Sequence, residues 1–363
     1  MIAVLHIVGA RPNFVKLWSV RTAMERRPGV FRQAVVHTGQ HSGAAMCGDI
    51  LRDLGLPEPD VRLGCADGAP QARLSAMARQ LYGLLSDGWP DAVLLYGDVD
   101  STLAGAMAVL RAGVRAAHVE AGLRSFDWTM PEEYNRVFAD SVSDWLFTSE
   151  PSADENLAGF QDSASRVCRV GSTMVDTLLA KLPDALAASG SEAESGDYAV
   201  LTLHRPANVD EPGVLAGLLR AVASSVGGRM PIVFPAHPRT VRVLHSAGLL
   251  PECRGTNMRV VEPLPYLRMI ALLGRARLVL TDSGGVQEET TALRVPCLTL
   301  RDNTERPITV SVGSNRLAGT SGRTIASAVE SVMLEPPRLG SVPEFWDGRA
   351  GERVAARLEE DLA

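Results

Sequence analysis

Along the whole length of this chain, short apolar runs end in Gly, Pro or a polar residue, and each is followed by a segment with helical spacing. An apolar run without alternation reads as a strand buried on both faces, and strands alternating with helices demand parallel sheets covered on each side. The spacing predicts strands at 2–8, 33–37, 92–96, 114–119 and 145–148, then at 198–203, 231–235, 258–261, 277–281 and 296–300. A chain of 363 residues is long for one core, so the expected architecture is α/β with two doubly wound, Rossmann-like domains. Residues 1–169 are expected to form the first and 170–346 the second, with a C-terminal helix within 347–363 packing back on the first. The small, polar run at 183–196 reads as a loop near the start of the second domain.

In open parallel sheets a ligand binds beyond the carboxyl ends of the strands, where loops and helix N-termini converge. Polar residues fall at that position repeatedly: Arg11 after the first strand, Asp98 after the third, Glu120 at the end of the fourth, then His204-Arg205, His237 and Asp282-Ser283 in the second half. Two facing sheets with these edges turned inward would make a cleft.

The stretch Leu278-Val279-Leu280-Thr281-Asp282-Ser283-Gly284-Gly285 has the form of a phosphate cradle. Gly284 and Gly285 let backbone N–H groups approach an anion, Ser283 adds a hydroxyl, and a helix expected to start near Val286 points its positive end at the same place. Glu288 or Glu289, within the first turns of that helix, suits a ribose diol. Taken alone, the stretch fits an ordinary strand-to-helix turn equally well.

Several classes are excluded. The only lysines are Lys16 and Lys181, neither of which follows a glycine, so a Walker phosphate loop is impossible, and no Gly-x-Gly-x-x-Gly is present for a dinucleotide. The net charge of -6, with arginines mixed among acids, gives no basic face for nucleic acid. No apolar stretch is long enough to span a membrane, and Met1 to Val8 run directly into a strand without the pattern of a secretory signal, so a cytoplasmic location is expected. Cys47, Cys65, Cys168, Cys253 and Cys297 are scattered and odd in number, which fits free thiols rather than disulfides or a zinc ribbon. No histidine spacing supports a metal site.

Asp98, Glu120 and the pair Glu132-Glu133 are the candidate acids and bases. Asp98, or Ser101, fits equally the N-cap of a helix over 102–110. Glu120 at the end of an apolar strand needs a partner, and Arg124 is the nearest candidate in sequence. Glu132-Glu133 after Pro131 also suits the acidic first turn of a helix. His118 reads as a satisfied core histidine. Arg11 before Pro12 suits an anion, His204-Arg205 suits a diphosphate, and His237 between prolines fits phosphate contact or turn packing.

With these residues assembled, the chain resembles the non-hydrolysing UDP-N-acetylglucosamine 2-epimerase family, whose members adopt the two-domain glycosyltransferase-B fold. The likeness runs from Gly9-Ala10-Arg11-Pro12 to the end. It includes Thr38-Gly39-Gln40-His41, Tyr96-Gly97-Asp98, His118-Val119-Glu120-Ala121-Gly122-Leu123-Arg124, Met130-Pro131-Glu132-Glu133-Tyr134-Asn135-Arg136, His204-Arg205-Pro206, the stretch from Thr281 to Glu289, and Arg301-Asp302-Asn303-Thr304-Glu305-Arg306-Pro307. The resemblance implies that Asp98, Glu120 and Glu132 transfer protons at a sugar and that His204 lies near a diphosphate. It likewise implies that Ser283, Gly284 and Glu289 hold phosphates and ribose, that Arg11, Lys16, Arg136 and His237 line the cleft, and that the segment containing Pro263 lies against uracil. The implied reaction is reversible C2 epimerisation of UDP-N-acetylglucosamine to UDP-N-acetylmannosamine, by elimination of UDP to a 2-acetamidoglucal and re-addition. The resemblance implies a homodimer and no nicotinamide or metal cofactor. A hydrolysing 2-epimerase or a glycosyltransferase of the same fold are the alternatives. Ala207 stands where many relatives have Glu, and Ser141 where a His often stands. The run at 40–46 lacks the glutamine-rich pattern of members activated by a second substrate molecule.

Overall fold

The computed structural model describes the chain except for residues 41–43, 65–68, 160–166, 189–196, 251–252, 254–255 and 335–339. His41, Cys65 and the last eight residues of the expected 183–196 loop lie outside the described residues. The chain divides into two compact units, Met1–Ala180 with Glu344–Ala363, and Lys181–Pro343.

The first unit holds strands β1 (Ile2–Val8), β2 (Phe31–His37), β3 (Val61–Arg62), β4 (Ala92–Tyr96), β5 (Ala116–Ala121), β6 (Trp145–Thr148) and β7 (Val167–Arg169). Its helices are α1 (Arg11–Glu25), α2 (Ala44–Leu54), α3 (Pro70–Leu85), α4 (Asp100–Ala112), α5 (Pro131–Val142), α6 (Pro151–Leu157) and the part of α7 (Thr173–Ala188) up to Ala180, the rest of α7 belonging to the second unit. Every strand pair is parallel and the order is β3-β2-β1-β4-β5-β6-β7, so the winding direction reverses between β1 and β4. Leu5, Ile7, Val93 and Leu95 project from the central strands into a core shared with Leu81 of α3 and Ala104 of α4. The C-terminal helix, Ala350–Leu362, lies on α1, where Asp176 of α7 accepts from Gly351 N–H and the Ser19 hydroxyl at 2.8 and 2.6 Å.

The second unit repeats the plan. Strands β8 (Ala199–Thr202), β9 (Ile232–Pro235), β10 (Met258–Val261), β11 (Leu278–Thr281), β12 (Cys297–Thr299) and β13 (Asn315–Leu317) alternate with α8 (Pro206–Val209), α9 (Pro212–Val222), α10 (Pro238–Ser246), α11 (Tyr266–Arg275), α12 (Gly284–Leu293), α13 (Ile308–Ser311) and α14 (Gly322–Leu334). The order β10-β9-β8-β11-β12-β13, again all parallel, reverses between β8 and β11. Leu201, Phe234, Leu280 and Leu298 form the centre of its core.

All ten expected strands are present, with ends moved by a few residues. Three more, β3, β7 and β13, were not anticipated; they have two or three residues each and lie at sheet edges, too short and too mixed to carry a hydrophobic signature. Residues 183–188, expected as loop, complete α7 with Pro183 inside it. Leu-Ala-Ala are good helix formers and Ala185 is buried, so packing holds the helix through the proline. Proline also stands in the first turn of α1, α8 and α10, where its missing N–H costs nothing, and the polar residue immediately before it (Arg11, Arg205, His237) marks a strand-to-helix junction. No described helix is long and apolar enough to cross a membrane.

Candidate active site

In each unit the chemistry-bearing residues gather where the winding reverses. In the first, Asn13 of α1 ties β1 to β4: its Oδ1 accepts from Gly9 and Ala10 N–H, and its Nδ2 donates to the Tyr96 carbonyl at 2.8 Å. Gly97 and Asp98 follow directly. The α4 N-cap is Val99, without a side-chain bond, so Asp98 is not the helix cap that its position also allowed. Its carboxylate pairs with the Arg136 guanidinium, and its carbonyl accepts from Asn135 Nδ2 at 2.8 Å, both from α5. Ser101, the other capping candidate, is inside α4 and donates to Gln40 Oε1 at 2.6 Å.

Glu120 is the most constrained of the acids. Its φ is +75°, a left-handed value rare for a residue with a side chain, and the β5–β6 register slips between Val119 and Ala121. That irregularity takes Glu120 out of the strand's alternation and gives it Lys16 of α1 at 2.8 Å. The expected partner, Arg124, instead pairs with Asp140 at 2.7 Å, because alternation beyond the bulge no longer runs from Glu120 to Arg124. A side chain at Gly97 would place its Cβ 2.5 Å from Lys16 Nζ, so glycine is required for the lysine to reach.

The two adjacent glutamates of α5 separate in role. Glu133 is buried, accepts from Ser125 N–H, the Ser125 hydroxyl and Phe126 N–H, and pairs with Arg136 at 2.5 Å. It shapes the turn before α5. Glu132 is half-buried, and Arg136, held by Glu133, carries its charge to Asp98.

In the second unit the reversal lies between the ends of β8 and β11. Asp282, fully buried, lies 2.8 Å from Nδ1 of His204 and accepts from the N–H groups of His204 and Arg205 and from Asn208 Nδ2. Burial pushes its carboxyl up, but the His204 charge and the hydrogen bonds from His204, Arg205 and Asn208 outweigh that and hold it below the ordinary range. His204 itself is 42% exposed, and its ring is 6.2 Å from that of His237. His237 accepts the Arg239 N–H as the N-cap of α10.

Helix α12 starts at Gly284, two residues earlier than expected, with Ser283 as N-cap toward Val286 N–H at 3.5 Å. Behind the turn, Arg306 pairs with Glu288 and Glu305 at 2.8 and 2.7 Å, and Arg301 and Arg205 also reach Glu305. A Cβ on Gly284 would lie 2.6 Å from Glu305 Oε1 and nearer still to Arg306. Glu288 is thus committed to Arg306, which leaves Glu289, at the buried start of the same helix, as the ribose candidate. Gly285 is half-buried on the turn, and Pro263 is exposed on the wall of a cavity of about 750 Å³ together with Pro238, His245, Met258 and Glu262. Arg11 stands at the N-terminus of α1.

The sequence reading assigned no role to Asp282, Asp140, Glu305 or Arg306. All four are buried polar residues; Asp282, Glu305 and Arg306 lie in strings that carry the resemblance, and Asp140 lies in none of them.

A family model described as UDP-N-acetylglucosamine 2-epimerase matches residues 22–359. The chain belongs to that family. The epimerase, an isomerase, is 37% identical to the UDP-N-acetylglucosamine 2-epimerase of Methanocaldococcus jannaschii over 97% of each chain. It is 39% identical to the UDP-2,3-diacetamido-2,3-dideoxy-D-glucuronate 2-epimerase of Pseudomonas aeruginosa, over 98% of this chain and 99% of that one. A crystal structure of the M. jannaschii enzyme in complex with UDP-GlcNAc and UDP superposes on it with a TM-score of 0.92 at 36% identity, covering 99% of this chain and all of that one. The fold class of two doubly wound parallel sheets, the glycosyltransferase-B class, is shared with these enzymes.

Proposed function

We propose that the epimerase interconverts UDP-N-acetylglucosamine and UDP-N-acetylmannosamine without net hydrolysis, the second unit gripping the nucleotide and the first supplying acid and base. The observation that carries this is the division of chemistry between the two reversal points: a glycine-lined helix N-terminus with His204 at one, and Asp98 and Glu120 at the other, with Glu132 of the first turn of α5 as the third candidate acid.

The hydrogen at C2 of the sugar is not next to a carbonyl, so a carboxylate cannot take it from the intact substrate. Breaking the C1–O bond first, with its electron pair leaving on UDP, gives C1 oxocarbenium character and makes the C2 proton acidic. The α12 N-terminus, Ser283 and His204 suit the stabilisation of departing charge by fixed dipoles and donors, with Arg11 as a further cation. A carboxylate then takes the C2 proton to leave the 2-acetamidoglucal. UDP re-adds at C1 while a proton arrives at C2 from the opposite face, and two faces need more than one acid–base group.

The test is incubation of UDP-N-acetylglucosamine with the enzyme in deuterium oxide. The expected result is an intact UDP-sugar pool of both epimers with deuterium at C2. Free N-acetylmannosamine would select the hydrolysing alternative, and dependence on an acceptor the glycosyltransferase. The name of the Pseudomonas relative adds a 3-acetamido, C6-carboxylate substrate to the panel, and faster turnover of that compound would reassign the sugar while keeping the C2 chemistry.

A further inference from the structure

His118 is fully buried on β5, and each ring nitrogen faces an acceptor. Nδ1 lies 2.7 Å from Asp140 Oδ1, and Nε2 lies 2.7 Å from the Gly97 carbonyl. A backbone carbonyl only accepts, so Nε2 of His118 is the donor to Gly97, while Asp140 on the other nitrogen also pairs with Arg124 at 2.7 Å. The same Asp140 also accepts from the Gly122 N–H, at 3.2 and 3.3 Å.

The ends of this chain of hydrogen bonds are specific places. Gly97 is the residue before Asp98, and Gly122 is two residues after Glu120. Both glycines have positive φ, as does Glu120, so these are the two turns in which the backbone departs from strand geometry to aim a carboxylate. Asn135 and Arg136 fix Asp98 from its other side, and Lys16 fixes Glu120.

We propose that His118 is a positioning residue for the C2 chemistry: through Gly97 on one nitrogen and Asp140–Gly122 on the other, it sets the spacing between the Asp98 and Glu120 turns. This rests on the proposed function, in which those two carboxylates act on one sugar. It adds that their separation is held by a single imidazole that never meets substrate. Misplacing a reacting group by about 1 Å costs on the order of a hundredfold in rate, so the arrangement affects kcat far more than binding.

The test compares His118→Leu, His118→Gln and His118→Asn with the wild type. The amide of Gln stands where Nε2 does and restores a donor to Gly97; that of Asn stands where Nδ1 does and reaches only Asp140. His118→Leu is expected to lose kcat by about a hundredfold with KM and UDP affinity unchanged, and His118→Gln to recover about tenfold of that loss. Equal kcat for Leu and Gln, or KM rising and UDP affinity falling in step with the loss of kcat, would overturn the proposal. If His118→Leu does not accumulate as folded protein, Gln must still exceed Asn by about tenfold, and equality overturns it. Amide hydrogen exchange in the Leu or Asn variant reads the positioning without turnover: faster exchange confined to the Asp98 and Gly122 turns supports it, and unchanged exchange there overturns it. A wild type that fails to turn over UDP-N-acetylglucosamine defeats the proposed function, while exchange still decides whether His118 holds the two turns.

Discussion

Lys16 Nζ lies 2.8 Å from Glu120 Oε1, and both side chains are almost sealed from water. Taking one partner from a buried pair leaves a desolvated charge, which costs about 3–5 kcal/mol. Lys16→Met is therefore expected to lower stability by about that amount in urea denaturation, and the double variant with Glu120→Gln to recover part of it. Additive losses would mean the two side chains are not coupled.

Asp98→Asn, Glu120→Gln and Glu132→Gln each remove a proposed proton carrier from the first unit. Each is expected to reduce kcat by about 10² to 10⁴. UDP affinity, measured by titration calorimetry, should stay at the wild-type value, because the proposed nucleotide grip lies on the second unit. A large loss of UDP binding in any of the three would contradict that division of labour.

Gly284→Ala puts a Cβ against Arg306 and Glu305, neither of which can yield without loosening a buried ion-pair cluster. Overpacking of this kind costs about 1–3 kcal/mol. Part of that cost falls on the mouth of the cradle, so UDP is expected to bind about tenfold more weakly, read by the same calorimetry. Wild-type affinity would remove Gly284 from the proposed phosphate contacts.

Two buried carboxyls respond to acid in opposite senses. Burial raises Asp176 above its ordinary 3.8, despite hydrogen bonds from Ser19, Gly351 and Ala350. Its contribution to stability is therefore complete below the ordinary value and is lost as pH rises through the raised one. Asp282 is held below 3.8, so its contribution is present above that value and is lost as pH falls through the depressed one. Asp176→Asn should remove a stability loss on the alkaline side of pH 3.8, and Asp282→Asn one on the acid side. Urea midpoints from about pH 3 to about pH 6 read both slopes, and unchanged slopes would contradict the assignment.

The strand-end residues were legible because an apolar run stops abruptly at each of them: Leu95-Tyr96 before Gly97-Asp98, Leu280-Thr281 before Asp282-Ser283. The winding order was not, since nothing in a run of valines names its neighbour in the sheet. Nor was the partner of Glu120. Strict alternation points from Glu120 to Arg124, and only the positive φ at Glu120, a three-dimensional fact, turns the carboxylate to Lys16 on α1. The short edge strands β3 and β13 were missed for a different reason, because two or three residues hold little more than one period of a two-residue alternation, short of the run a strand signal needs. Residue type and position did not separate Glu132 from Glu133, only the family resemblance did; burial and the bonds from Ser125, Phe126 and Arg136 assign Glu133 to the turn, and Glu132 stays the proposed acid.

The central claim is that the C1–oxygen bond breaks while UDP remains held, and that the C2 proton is exchanged before the bond re-forms. UDP-N-acetylglucosamine labelled with oxygen-18 in the bridge between C1 and the β-phosphorus, turned over in deuterium oxide, reads both events in one molecule. The account predicts recovered UDP-sugar in which the label has scrambled into non-bridging β-phosphate positions and C2 carries deuterium. Deuterium at C2 with the oxygen label still wholly in the bridge would contradict it.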